Sequence, residues 1–388
     1  MIRSALLLCA GVIAVTCFAC SPMPPASPPP IASQARNPSL LATCASDQSG
    51  ATFANSVQFL SVPYTPEPPS PSPPLPTPQG TGPVSTNSFI YNDLKKAFSI
   101  APPFFQTQLC ELTSVYINPT SCTSSSNNYQ NNCTANSWGF RDPSTGATYV
   151  ALSQSLWNQP NADAMSYSAY ETYMLQYLIG WPKSTTLYYS PATPYNTYEV
   201  TILAALAHEV GHVLLYDAFK PQPGVGTIYN PYNTRGFGAG VFYSGSWRKV
   251  DMPPQFREFG EPQNEHDPAG CNGCNDHVAK IAFHVLHQNF DRAVSILANI
   301  YASTGRWASL FGAMSPDEDF VEMFKFYVLT QSSTEAVASL QLNYLNATGK
   351  LVTVGDIYND YSSNSKNNSA WLQKIGGISG TKALVPGS

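Results

Sequence analysis

His208, Glu209 and His212 form the pattern H-E-x-x-H, set between the apolar runs 202–207 and 213–215. Residues four apart on a helix lie one turn apart on the same face. Two imidazoles so placed can bind one Zn²⁺, and the glutamate between them sits beside a water that the ion makes acidic. Such a carboxylate can take the water's proton as it attacks a carbonyl. Chance is a poor explanation: with 6 His in 388 residues, the pattern is expected about 0.003 times. Three costly polar groups on an otherwise apolar helix also need a reason. Gly211 is a poor helix former, costing about 1 kcal/mol against Ala, and a small residue there lets another segment come close.

A catalytic zinc site needs a third protein ligand and an open fourth position. The metzincin pattern would place Gly at 215 and His or Asp at 218; this chain has Leu215 and Ala218, so that branch is excluded. The remaining candidates are Glu318, Asp319 and Glu322 in the run 315–324, and His266. Glu318 and Glu322 again stand one helical turn apart. Taken together, His208-Glu209-x-x-His212 and Glu318-x-x-x-Glu322 resemble the gluzincin branch of zincin metallopeptidases. The resemblance covers two short helices. It implies that Glu318 is the third zinc ligand, and that Glu322 hydrogen-bonds a ligand His and fixes its tautomer. It implies that Glu209 is the general base of peptide-bond hydrolysis around one Zn²⁺ ion. The fold it implies is α+β and zincin-like. A small mixed-sheet lobe would hold the active-site helix, and a mostly helical C-terminal lobe would carry Glu318, with the cleft between them. In zincins an edge strand ahead of the active-site helix pairs with extended substrate; by order along the chain, 147–152 is that strand.

The elements that must position these residues can be read around them. Segments 92–98 and 103–113 have helical spacing and 114–118 reads as a strand. Segments 137–141 and 147–152 read as a strand pair joined by the turn residues 142–146. Asn196 or Thr197 is placed to cap a helix running to about Phe219, where Pro221 stops it. Residues 276–301 suggest two helices, Pro316 opens another to about Leu329, and 334–345 continues a helical pattern.

Other residues carry weaker signals. Tyr229, Tyr232 and Tyr243, in an irregular Gly/Pro/Asn-rich stretch, suit aromatic packing of that loop better than the role of an oxyanion donor. His277, His284 and His287 lie within about 80° of arc on one helix face, which suits core or solvent-facing histidines better than a second metal site. Cys271 and Cys274 form a C-x-x-C that reads as a short loop disulfide, and Cys122 and Cys133 bracket a polar loop that a second bridge would close.

Of 34 Pro, 17 fall between Pro22 and Pro83, and charged residues are only 11 % with a net charge of -5. That charge is too small and too mixed for a nucleic-acid partner, and 43 % apolar residues exclude a wholly disordered chain. Residues 1–19 read as a signal peptide. The run Cys17-Phe18-Ala19-Cys20-Ser21 resembles a bacterial lipoprotein signal, which implies lipidation at Cys20. Residues 20–83 then form a Pro/Ser-rich spacer near the anchor. Within it, the more apolar stretch 40–62 carries Cys44 and is suited to dock on the main domain through a disulfide. The domain expected at 84–388 divides into a sheet lobe (84–220), an irregular insertion (221–275) and a helical lobe (276–388). The expected protein is an exported, membrane-anchored zinc metallopeptidase acting on peptide or protein substrates. The alternatives are a periplasmic or secreted form, a non-catalytic envelope lipoprotein with a zincin-like fold, or a zinc amidase acting on cell-wall peptides.

Overall fold

The main sheet has five strands: β1 (Gln58–Leu60), β2 (Gly80–Pro83), β3 (Ser114–Asn118), β4 (Trp138–Arg141) and β5 (Thr148–Ser153), in the order β2-β1-β3-β5-β4. β1, β3 and β5 run parallel; β2 and β4 close the two edges antiparallel. These features come from a computed structural model. It describes residues 38–64, 78–119, 137–142, 146–157, 164–182, 186–191, 196–218, 247–249, 256–258, 277–301, 306–314, 316–332, 340–356 and 374. All lie in one compact unit, Ser33–Ser388.

Period-2 alternation explains why the sheet is buried on both faces. Val115, Ile117, Val150 and Leu152 enter the main core, while Tyr116, Tyr149 and Ala151 join Trp138 and Phe140 in a second, aromatic cluster on the other face. The helices α1 (Pro38–Ser46), α2 (Ala51–Ser56), α3 (Phe89–Ile100) and α4 (Pro103–Glu111) precede β3, and α5 (Tyr167–Leu178) and β6 (Leu187–Pro191) follow β5. Ser88 caps α3 by accepting a hydrogen bond from the Tyr91 N–H at 3.2 Å. Pro103 opens α4, where a missing N–H costs nothing.

α6 (Tyr198–Ala218) is the central helix. Ile202 through Ala207, Val210 and Val213 to Leu215 are all buried, so its apolar length serves the core. Two glycines set what packs against it. A Cβ on Gly139 of β4 would fall 1.9 Å from the Glu209 carbonyl oxygen, so β4 lies directly on the H-E-x-x-H turn. A Cβ on Gly211 would fall 3.2 Å from the Cα of Val321, so a second helix comes close here as well. That helix is α9 (Pro316–Thr330), which follows α7 (His277–Leu286) and α8 (Phe290–Ile300). A two-stranded ribbon, β7 (Trp247–Lys249) with β8 (Phe256–Glu258), precedes α7.

The architecture is α+β with a mixed sheet, and it departs from the expected layout in three places. First, the folded part reaches back before position 84: α1, α2, β1 and β2 arise from residues assigned to the spacer, although the docking of the Cys44 stretch by a disulfide is as expected, with Cys110 of α4 as its partner. Second, 340–345 is not helical. It forms β9 (Leu340–Leu345), paired with β10 (Leu351–Asp356) on one side and β6 on the other. The turn between β9 and β10 explains it. The Asn346 Oδ1 accepts N–H bonds from Thr348 and Lys350, and Gly349 takes φ 75°, a left-handed conformation suited to glycine. The C-terminal region therefore mixes helices with a three-stranded sheet. Third, β5 is an interior strand between β3 and β4, so the edge beside α6 is β4.

Candidate metal centre

α6 and α9 pack face to face, and their facing turns bring together three side chains able to hold a metal ion. The ligand atoms of His208, His212 and Glu318 lie within 4.8 Å of one another. Glu318 turns one carboxylate oxygen to each ring: Oε2 is 3.6 Å from His208 Nε2, and Oε1 is 3.6 Å from His212 Nε2. The imidazoles sit edge to face with centroids 5.1 Å apart. Ligands bound tetrahedrally to zinc at 2.0–2.1 Å stand about 3.4 Å from each other. The two 3.6 Å contacts, each made by a different Glu318 oxygen, are near that spacing, and two imidazoles with a carboxylate are a donor set that zinc accepts.

Glu322, one turn beyond Glu318, fixes how His208 presents itself. Its Oε1 lies 2.9 Å from His208 Nδ1. Its other oxygen, Oε2, accepts from the Ser309 hydroxyl and lies 2.9 Å from the Lys325 ammonium. Burial raises the Glu322 carboxyl, but Lys325, His208 and Ser309 outweigh it and hold it at about 2. An ionised Glu322 can only accept, so the His208 Nδ1 carries a proton and donates it, and Nε2, which faces Glu318, is the nitrogen that would serve as a metal ligand once deprotonated. The Phe311 ring meets the His208 ring edge to face at 6.2 Å.

The electrostatics of the three H-E-x-x-H residues differ. Burial lowers His208, but the Glu322 hydrogen bond and the charges of Glu318, Glu209 and Glu322 raise it to about 9. Burial and the His208 charge lower His212 to about 3. Burial raises Glu209 to about 7, with His208 opposing. A carboxyl poised near neutrality is suited to receive and return a proton.

Behind Glu322 lies a buried ionic chain that was not read from the sequence. Lys325 also reaches Glu171 Oε1 of α5 at 3.1 Å, and all three residues are buried. Glu171 and Glu322 raise the Lys325 ammonium well above its usual value although burial opposes this. The available signal was a single Lys amid Phe324, Phe326 and other apolar residues of α9; its partner 154 positions away is not legible in one sequence.

The remaining candidates are not drawn into the centre. Among the described residues, His208, His212 and Glu318 are the one group of metal-capable side chains. His284 is buried, His287 is exposed against the Phe283 ring and bonds the Phe283 carbonyl at 2.8 Å, and His277 meets Trp307. Asp319 is turned to Lys374. Asn196 accepts the Ser168 N–H at 2.7 Å, so it caps α5 rather than α6. Cys20, Cys122, Cys133, Tyr229, Tyr232, Tyr243, His266, Cys271 and Cys274 lie outside the described residues. Compared by sequence and by structure, the chain matches no protein family, no curated protein and no solved structure.

Proposed function

We propose that this chain is a zinc-dependent metallopeptidase of zincin type. The observation that carries the reading is the Glu318 carboxylate facing both His208 Nε2 and His212 Nε2 at 3.6 Å, on a helix locked against α6. His208, His212 and Glu318 would hold one Zn²⁺. When bound, such an ion supplies a Lewis acid that makes a water nucleophilic at neutral pH. Glu209 takes the proton of the attacking water on its carboxylate and returns it to the leaving amine. Glu322 keeps the proton of His208 on Nδ1. The antiparallel edge strand β4, pressed on the Glu209 turn by Gly139, is the strand positioned to align an extended peptide. In this reading the chain is exported and anchored by lipid at Cys20, with the Pro-rich residues 21–30 holding the enzyme off the membrane.

The test is to measure bound zinc in the purified protein and its cleavage of a broad peptide library, beside Glu209→Gln. The variant should keep zinc and lose at least about 10²-fold in turnover. Zinc without cleavage in either protein overturns the peptidase; absence of zinc from both overturns the site itself.

A further inference from the structure

Asp319, the neighbour of Glu318, points away from the candidate metal centre into a different ionic contact. Its two oxygens lie 2.7 and 2.6 Å from the ammonium of Lys374, and both side chains are 0 % exposed. The same ammonium donates to the Arg306 carbonyl at 2.6 Å. All three ammonium protons are thereby used. A buried lysine bonded this fully is a rigid joint, since each direction in which it could move loses a charge-assisted bond.

What the joint connects is specific. Asp319 belongs to the first turns of α9, which carry Glu318. Arg306 begins the stretch 306–314, which bears Ser309, the donor to Glu322, and Phe311, the ring against His208. Gly312 is tucked beneath α9, where an added Cβ would stand 3.6 Å from both the Asp319 Cα and the Glu322 Cβ. One cation 55 positions downstream of Asp319 therefore pins the helix turn of the candidate third ligand to the stretch that supports the candidate second-sphere acid.

On the reading that His208, His212 and Glu318 hold zinc, we propose that Lys374 is a positioning residue of that centre: by joining Asp319 to the Arg306 carbonyl it fixes the first turns of α9 and aims the Glu318 carboxylate at the two imidazoles. Its ammonium bonds Asp319 and the Arg306 carbonyl, so it acts on Glu318 through the turn they share. Without it, Asp319 is left as a buried carboxylate without its cation, and the turn must open to hydrate it. Glu318 moves with that turn.

The experiment uses the full chain and competition with a chromogenic chelator to measure zinc affinity, with Tm recorded in parallel. Four proteins are compared: wild type, Lys374→Met, Glu318→Ala and the double variant. Lys374→Met should weaken zinc binding by about 10- to 100-fold, as loss of an outer support does. The double variant should bind no more weakly than Glu318→Ala alone, because Lys374 acts through Glu318. Should Lys374→Met not fold, Asp319→Asn, which keeps the side-chain shape, takes its place in the same cycle. Zinc binding at wild-type strength in the folded Lys374→Met or Asp319→Asn protein overturns the proposal. So do additive losses in the double variant, which would mark a general loss of stability. A wild type that binds no zinc, or binds it equally well after His212→Ala, fails the metal-centre reading instead.

Discussion

His208 Nδ1 and Glu322 Oε1 stand 2.9 Å apart across the seam of α6 and α9, joining residues 114 positions apart in the chain. The contact sets the tautomer of the imidazole and orders its ring, which is what a metal ligand needs from its surroundings. Glu322→Gln removes the charge but little volume. It should lower zinc affinity by about 10- to 100-fold while the protein stays folded, as chelator competition will report. Unchanged affinity would show that the ring is oriented by packing alone.

Lys325 stands between two buried carboxylates, 2.9 Å from Glu322 and 3.1 Å from Glu171. Removing it leaves both buried acids without their ammonium. Lys325→Met should therefore cost about 3–5 kcal/mol in chemical denaturation. Pairing it with Glu171→Leu removes one of the stranded charges and should recover a large part of that loss, because an apolar replacement of a buried ion pair is often neutral. If the double variant is no more stable than Lys325→Met, the Glu171–Lys325 contact is not the source of the cost.

Gly139 offers a sharper test of the packing. A Cβ there would lie 1.9 Å from the Glu209 backbone oxygen, closer than any real contact, and the obstacle is backbone rather than a side chain able to swing away. Gly139→Ala must push β4 off α6. Overpacking of this kind costs about 1–3 kcal/mol or more, and it displaces the strand proposed to align the substrate. The expected result is a lowered Tm together with a raised KM for peptide substrates. A variant with wild-type Tm would show that the strand edge yields freely.

How far the site was legible follows from what kind of signal each residue gave. His208, Glu209 and His212 are local in sequence, and helix geometry alone places the two imidazoles on one face. Glu318 and Glu322 likewise share a face of one helix, but their meeting with α6 depends on helix packing, which no spacing in the chain encodes. Gly211 hinted at that approach, and Val321 is the residue that makes it. The strands 114–118, 138–141 and 148–153 were visible through alternation and turn residues, yet the order that puts β4 at the edge was not. That order depends on pairings between distant segments. The stretch 340–345 misled because Leu340, Leu342 and Tyr344 alternate as in a strand, while Leu340 with Tyr344 and Leu342 with Leu345 also stand about one helical turn apart. Pairing with β6 and β10 decided it. Lys374 and Glu171 lay beyond reach for the same reason: each acquires its role only from a partner far along the chain.

The bridge between Cys44 and Cys110 closes a loop with a sequence separation of 66 residues and holds α1 against α4. Chain-entropy arguments give such a loop about 4 kcal/mol of stabilisation. Replacing both cysteines by Ala should lower the unfolding free energy by about 2–5 kcal/mol. Zinc affinity should fall far less than stability, since the bridge holds none of the proposed ligands, although α4 also packs on α9 through Phe105 and Phe324. Denaturant titration and chelator competition on the same preparation measure both. A loss of zinc binding in step with stability would instead couple the α1–α4 corner to the centre.

Charge in the interior leads to the last expectation. Glu318, Glu322 and Glu171 bring three carboxylates to the packed region around α9, and Lys325 brings one ammonium. With Glu209 beside them the acids outnumber this ammonium, and a divalent cation would offset the excess. On the zinc reading the ion would be part of what holds α6 and α9 together, because it would bind the folded centre and find no preformed site in the unfolded chain. At free zinc 1,000-fold above Kd, the linkage amounts to about 4 kcal/mol. Dialysis against a chelator should lower Tm by several degrees, and added zinc should restore it in a concentration-dependent way. In His212→Ala, where one ligand is gone, zinc should produce a much smaller shift. If chelation leaves the wild-type Tm unchanged, the excess negative charge is compensated by some other group and the centre does not bind zinc tightly.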